Sequence, residues 1–322
     1  MKMKRYLPLL SATLLLGSCG GGNGNFPTGD PIKEEDATVH LKKATEELKN
    51  VDAFGFKTSL NFEYKTSTVV TGADSAVLNQ TDINIKAKGD LKFGATNLKA
   101  EKAKDVKASL TSSGSLDLNA KSQGESSADI SKKGDLNIGA YLDQGTFYVD
   151  YTSIKDIYGA LSPSVDGGTE AKTKIKASFF TEKDQNPIAS YLSQIDVDAT
   201  LASFKKENNL AINALKTKNG YALTTNLGNT TSGKVQDGDT TYNTKETVVG
   251  KCYLSFNDTS LLGLGIDLNL TTEEERTMTY GDKTYNTKVT GEAKISFDLT
   301  FLYGKDVTVE AVPQPETFVD VE

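Results

Sequence analysis

Phe54-Gly55-Phe56-Lys57-Thr58-Ser59-Leu60-Asn61-Phe62-Glu63-Tyr64 decides the fold. Phe54, Phe56, Thr58, Leu60, Phe62 and Tyr64 alternate with Gly, Lys, Ser, Asn and Glu, the period-two pattern of a strand with one wet face. The residues just before it keep a different period. Leu41, Ala44, Leu48 and Val51 recur at spacings of three, four and three, which predicts an amphipathic helix over Asp36–Asn50. Glu34, Glu35 and Asp36 suit the positive end of that helix, with Asp36 or Thr38 as its cap. His40, the single histidine, sits beside the stripe and reads as a surface or packing residue, not a ligand.

Further back, Lys2, Lys4 and Arg5 precede a short apolar run from Tyr6 to Leu16. A mature membrane-spanning helix needs about 20 apolar residues, so this segment reads as a signal peptide. Its ending, Leu16-Gly17-Ser18-Cys19, resembles the lipobox of bacterial lipoproteins. The resemblance implies cleavage between Ser18 and Cys19, removal of residues 1–18, and a diacylglyceryl thioether on Cys19, with palmitate-type acyl chains as the membrane anchor. Two or more acyl chains suffice for stable anchoring, where one chain is marginal. Gly20-Gly21-Gly22-Asn23-Gly24-Asn25, running to Pro27 and Pro31, reads as a tether within residues 19–35. Such a coil holds a domain roughly 15–20 Å off the membrane.

Forward of the opening strand the period stays two. Ile83 to Phe93, Val106 to Leu110, Leu116 to Leu118, Leu136 to Leu142 and Phe147 to Tyr151 form an expected antiparallel meander. Gly89-Asp90-Leu91, Gly114-Ser115-Leu116 and Gly134-Asp135-Leu136 repeat within it and read as similar turns. Ser153–Leu161, Pro187–Leu192 and Ala199–Asn208 read as short helices, and Lys172–Thr181 as a strand. Leu210–Leu215 and Tyr221–Leu227 read as a hairpin about Asn219-Gly220. Gly238-Asp239-Thr240-Thr241-Tyr242-Asn243-Thr244-Lys245 recurs as Gly281-Asp282-Lys283-Thr284-Tyr285-Asn286-Thr287-Lys288, which predicts two long hairpins with Gly-Asp turns. Val307–Glu310 reads as a final strand, and residues 316–322 as a tail.

Composition narrows the function. The first 18 residues hold three of the 36 basic residues and none of the 43 acidic ones, so the mature chain stands at −10 against −7 for the whole. That argues against nucleic acid and against electrostatic adhesion to anionic lipid. With Cys19 lipidated, Cys252 is alone and reads as a small buried hydrophobe. One histidine nearly excludes classical triads and histidine-rich metal sites. Ser203-Phe204-Lys205-Lys206 lacks the partner motifs of a penicillin-binding site. Asp237-Gly238-Asp239 lacks the ligand ladder of a calcium loop and reads as a turn. No carboxylate pair stands out, tryptophan is absent, and no phosphate-binding glycine loop occurs. No enzyme, cofactor or metal site is therefore expected.

The layout as a whole resembles the superfamily of the lipoprotein carriers LolA and LolB and the actinobacterial lipoproteins LppX and LprG. The sharpest match is the helix-into-strand opening, Ala44-Thr45-Glu46-Glu47-Leu48-Lys49-Asn50-Val51. The resemblance implies a mainly β (α+β) domain over residues 36–315. It would be a large curved antiparallel sheet, or half-open β-barrel, with an N-terminal helix and a few short helices covering one side. It also implies an apolar cavity for acyl chains between sheet and helices. Residues 228–300 depart from the family as extra-long hairpins, either a decorated rim or a second half-barrel. Ala87, Ala108, Ala120 and Ala140 sit at inner positions, where small side chains leave room for a ligand or for close helix packing. The expectation is a monomeric, non-enzymatic lipoprotein of the cell envelope, anchored through Cys19 on the exported side, that binds or carries a lipid-like molecule. The competing expectation is a surface scaffold or adhesin with a packed sheet, binding a protein or glycan through its hairpin tips.

Overall fold

The computed structural model of the chain describes residues 26–124, 127–155, 173–188, 196–208, 211–237, 240–281 and 283–321. Cys19 lies outside them, as do most of the helices expected at Ser153–Leu161 and Pro187–Leu192. The described fold is mainly β: one large, open, mostly antiparallel sheet with two α-helices, one of them near the N-terminus, as the alternating sequence predicts.

The first helix, α1 (Glu34–Leu48), starts two residues before the predicted boundary. Lys33 holds the capping position without a side-chain bond, so neither Asp36 nor Thr38 caps it. The Thr38 hydroxyl instead donates to the Glu34 carbonyl at 2.9 Å. The acidic first turn, Glu34-Glu35-Asp36, complements the helix dipole without a cap. Ala37, Leu41, Ala44 and Thr45 form its buried stripe, and the Thr45 hydroxyl is satisfied by the Leu41 carbonyl at 2.6 Å.

Two residues beyond Val51 the chain enters β2 (Ala53–Thr71), which outruns the predicted alternation. It pairs antiparallel with β3 (Val77–Thr96), and β3 with β4 (Lys107–Gly124), in which the two apolar runs predicted separately form a single strand. Two shorter strands share the next position: β5 (Ala128–Asp135) pairs with Ser115–Ser122, and β6 (Gly139–Asp143) with Ala108–Thr111. β7 (Thr146–Asp150) and β8 (Lys174–Ser178) complete this half.

The second half begins with α2 (Val197–Asn208). Lys205 pairs with Glu34 at 2.5 Å and Lys42 with Asp198 at 2.5 Å, tying α2 to α1. β9 (Ile212–Thr217) turns through Lys218-Asn219 into β10 (Gly220–Asp237). Gly220 is thus the first paired residue and not part of the loop, and its φ of 146° is one that only glycine adopts freely. β10–β11 (Thr240–Phe256) and β12–β13 (Leu261–Tyr280 and Lys283–Tyr303) are the two predicted long hairpins. β13 then returns to pair with nearly all of β2, from Phe54↔Tyr303 to Thr71↔Asn286. With β1 (Asp30–Ile32) on β9, and β14 (Val319–Asp320) parallel to β8, the order is β1-β9-β10-β11-β12-β13-β2-β3-β4-β6-β7-β8-β14. The repeated hairpins are therefore part of the same sheet as residues 54–151.

The predicted strand at Val307–Glu310 is not one. The segment crosses β3 as an extended strap, with the Glu310 N–H donating to the Ser109 hydroxyl at 2.8 Å and Lys92 pairing with Glu310 at 2.8 Å. It passes so close to Gly94 that a Cβ there would lie 2.1 Å from the Thr308 carbonyl oxygen. The strand that ends the chain is β14, beside a buried Phe318 whose ring meets Tyr148 edge-on at 5.3 Å.

Cross-strand register separates the two faces of the sheet. One face carries Phe56, Phe93, Phe301, Leu91, Leu299, Leu264, Leu254, Leu223, Phe297 and Ile266; α1 packs against it through Ala214, Leu223 and Phe256, so it is called the helix face. All three hydrophobic clusters lie on it. The opposite, outer face is charged. Lys294, Glu63, Lys86, Asp117 and Lys133 form one row across five strands with alternating sign. Like charges thus avoid direct opposition.

Candidate functional site

The lipid-attachment residue Cys19 lies outside the described chain, and Phe26 is where that chain begins. The Phe26 ring meets Tyr253 edge-on at 5.4 Å, and Lys251 Nζ stands 5.7 Å from its centre. Tyr253 and Lys251 both point to the outer face, so Phe26 lies on the side of the sheet away from α1.

On the helix face the apolar surface continues beyond the residues that α1 covers. Leu227, Leu268, Ile295, Phe62, Ala87 and Leu116 share one row across β10 to β4, interrupted by Gly250. The next row carries Val248, Leu270, Ala293, Tyr64, Ile85 and Leu118. Most of these side chains are half-buried, while Ala87 and Leu118 are buried. Ala87, Ala108, Ala120 and Ala140, the small residues picked out in the sequence, all fall on this face. Gly89 and Gly114 lie directly opposite each other in its middle, so they are not the turns read from sequence. A Cβ on Gly114 would sit 2.2 Å from the Lys88 carbonyl oxygen and 2.6 Å from Gly89 Cα. Two strands can approach this closely only where neither has a side chain.

Among the described carboxyls whose pKa departs from the usual range, each is held down by its partners: Glu63, Asp150, Asp184 and Asp258 all lie below it. Lys65 and Lys86 do this for Glu63, and Thr181 for Asp184. Burial pushes Asp150 up, but bonds from Thr152 and Lys174 outweigh it. His40 hydrogen-bonds Asp258, holding its carboxyl down, and stacks on Tyr221 at 3.9 Å between ring centres. Its role on the helix surface is packing and pairing. Burial pushes the Cys252 thiol up to about 11, so at neutral pH it is protonated. Cys252 faces Ile266 and Thr225 across the sheet, the environment of a small hydrophobe. The Tyr253 hydroxyl is raised by burial and by its bond to Asp298, and its ring covers Gly265. No group of three metal-ligating side chains occurs among the described residues.

Two further features lie away from the core. At the tips of the long hairpins the repeated Tyr-Asn-Thr-Lys segments place Tyr242 and Tyr285 on the helix face, on either side of Arg276 and Met278 of β12. The Arg276 guanidinium lies 5.5 Å from the Tyr242 ring centre and pairs with Glu274; Met278 and Val235 are exposed. Gly238, Asp239 and Asp282, at the turns themselves, lie outside the described residues, and the side chain of Asp237 with them. On the outer face a cavity of about 520 Å³ opens over β13, β2, β3 and β4. Sequence reasoning missed it, because its residues are scattered between Lys65 and Glu292 over four strands and share no motif.

No protein-family model matches the chain, and no curated protein matches it. Among solved structures it is similar to OccK7 (OpdD) of Pseudomonas aeruginosa, at 6% identity and a TM-score of 0.23, over 78% of this chain and 99% of that one. It is also similar to the outer membrane protease OmpT of Escherichia coli, at 8% identity and a TM-score of 0.13, over 78% of this chain and 96% of that one. Likenesses this slight bear neither on the fold of this chain nor on its activity.

Proposed function

We propose that the chain is an exported lipoprotein of the cell envelope, held on the membrane through lipid on Cys19, which binds or carries a lipid-like molecule without acting as an enzyme. The observation that carries the reading is the helix face: two half-buried apolar rows running on past α1, on an open curved sheet. Contiguous apolar surface on that scale marks a binding site more often than idle surface. The LolA-like and LppX-like layout read from the sequence points to the same use. The test is a fluorescent fatty acid offered to the Cys19→Ser chain. Emission should rise on binding, fall on displacement by phospholipid, and vanish in Leu268→Arg, which places a charge on the apolar face. A dye that reports no binding to a folded chain contradicts the reading.

A second reading has its own support in the hairpin tips. Tyr, Arg and Met are the residue types enriched at protein interfaces, and Tyr242, Arg276, Met278 and Tyr285 stand together at an exposed rim. In that reading the protein is a surface scaffold or adhesin and the helix face is packed.

A further inference from the structure

We propose that the free edge of β10 pairs antiparallel with the same edge of a second copy, giving a two-fold dimer in place of the monomer expected from the sequence. This inference rests on the strand edges and does not depend on the lipid reading.

An open edge offers unpaired N–H and C=O groups to any strand, and folded proteins guard such edges by shortness, proline or lysine. Among the described residues the sheet ends at β1 and β14, and its long far half ends at β5 and β10. Three of these ends are guarded. β1 is three residues long and contains Pro31, β14 is two residues long, and β5 carries Lys132 and Lys133. The far half of β10 has none of these guards. From Asn226 to Gln236 it holds no proline and one charge, Lys234, and it pairs with β11 without a bulge. Every residue from Gly228 to Gln236 is exposed, and no described strand lies on the other side.

Alternate residues of an antiparallel strand turn their backbone groups to opposite sides. Thr217 and Gly220 close the two-residue turn into β10, which directs the backbone groups of its even-numbered residues towards β9. β9 stops opposite Thr225. Beyond it, Asn226, Gly228, Thr230, Ser232, Lys234 and Gln236 hold their N–H and C=O groups out to solvent.

This edge complements itself. With the two-fold axis at Thr231, those residues meet one another across the axis: Asn226 with Gln236, Gly228 with Lys234, and Thr230 with Ser232. On the helix face the exposed Val235 meets Leu227 of the second copy, and no lysine faces a lysine. Moving the axis to Thr230 or Ser232 takes Val235 off Leu227, and an axis between residues sets helix face against outer face. The axis at Thr231 stands perpendicular to the sheet, so both outer faces look the same way. Phe26 lies on that face, so both tethers start on one side, as anchoring in one membrane requires. Such a self-pairing closes at two copies. Water already bonds the edge in the single chain, so each new backbone bond contributes modestly. The dimer therefore forms in the micromolar range, and the edge exchanges freely in the dilute chain.

Sedimentation equilibrium of the Cys19→Ser full chain should give a mass that rises towards twice that of one chain across the micromolar range. Ser232→Pro removes an outward N–H and no bond to β11, and Thr231→Lys sets like charges face to face on the axis. Both variants should stay single. Thermal midpoints show whether they fold; if Ser232→Pro does not, Thr231→Lys decides alone. Cysteines read the register. On the axis the paired Cα atoms lie about 4.5 Å apart, within disulfide reach. Thr231→Cys should therefore oxidise to a linked dimer far faster than Asn229→Cys, which faces Gly233 of the second copy and not its own counterpart. A single-chain mass at every concentration, a dimer that survives either substitution, or equal cross-linking at both positions overturns the proposal.

Discussion

At the scale of single residues, contact distances settle what composition left open. Gly89 and Gly114 have the look of turn glycines in the sequence, since each opens a Gly-Asp-Leu or Gly-Ser-Leu unit. They stand instead in mid-strand, paired across β3 and β4 with no room for a Cβ. Gly114→Val should lower stability by about 1–3 kcal/mol, as overpacking does. A denaturant midpoint equal to that of the parent would contradict the packing described. Cys252 was legible as a small residue on an apolar face, since it lies inside an alternating run, but it is half-buried where full burial was expected. Its thiol, pushed to about 11 by burial, is about one-thousandth thiolate at pH 8. A thiol reagent at that pH should modify the native Cys19→Ser chain far more slowly than the urea-unfolded one, and equal rates would place Cys252 at the surface. Asp258 was not legible, because its partner His40 is 218 positions away. Its lowered carboxyl pKa means that the contact stabilises above the ordinary carboxylate range near pH 4 and is lost as pH falls through the lower folded value. Asp258→Asn should therefore be less stable than the parent at pH 6, with the gap closing towards pH 3. A gap independent of pH would show that the carboxylate does not carry the contact.

At the scale of elements, the helix-into-strand opening was readable because each part keeps a clean period: Leu41, Ala44 and Leu48 for α1, then Phe54 to Tyr64 for β2. The lengths were not. Seven strands run 17 to 21 residues, several times the usual five or six. Their far halves, such as Thr66–Thr71 and Asn226–Asp237, are rich in Thr, Ser and Asn and lack the apolar alternation that marks a half-buried strand. Threonine's β-propensity was the available signal, and it is weak without burial. Physically, the far half of β10 is exposed at nearly every position. From Asn226 to Asp237, β10 pairs on one side only among the described residues, since β9 ends opposite Thr225. Backbone hydrogen bonds with little buried surface open locally at low free energy. Hydrogen exchange should be markedly faster at Thr230–Lys234 than at Tyr221–Thr225 of the same strand. Uniform protection along β10 would mean that the far half is held by something other than its own ladder.

At the scale of the whole molecule, the sheet has its longest-range pairing at its centre. β13 pairs with β2 across more than 200 residues of intervening chain, joining the two meanders into one layer. Each hairpin can be read locally from its turn residues, but nothing local specifies that β13 returns to β2. Register between distant strands is set by matched apolar faces, here Phe56 with Phe301, Leu60 with Phe297 and Phe62 with Ile295, and many pairings satisfy such a match equally. The same limit hid the outer-face trough, which draws on four strands and on no motif. The central claim concerns the helix face: that its uncovered apolar rows hold a lipid-like ligand. Native mass spectrometry of the Cys19→Ser chain, purified from a bacterial host without detergent, tests it most directly. The account predicts a co-purifying mass that extracts into organic solvent as lipid and is absent from Leu268→Arg. A bare protein mass, with no uptake of offered phospholipid or fatty acid, contradicts it and leaves the hairpin rim as the working surface.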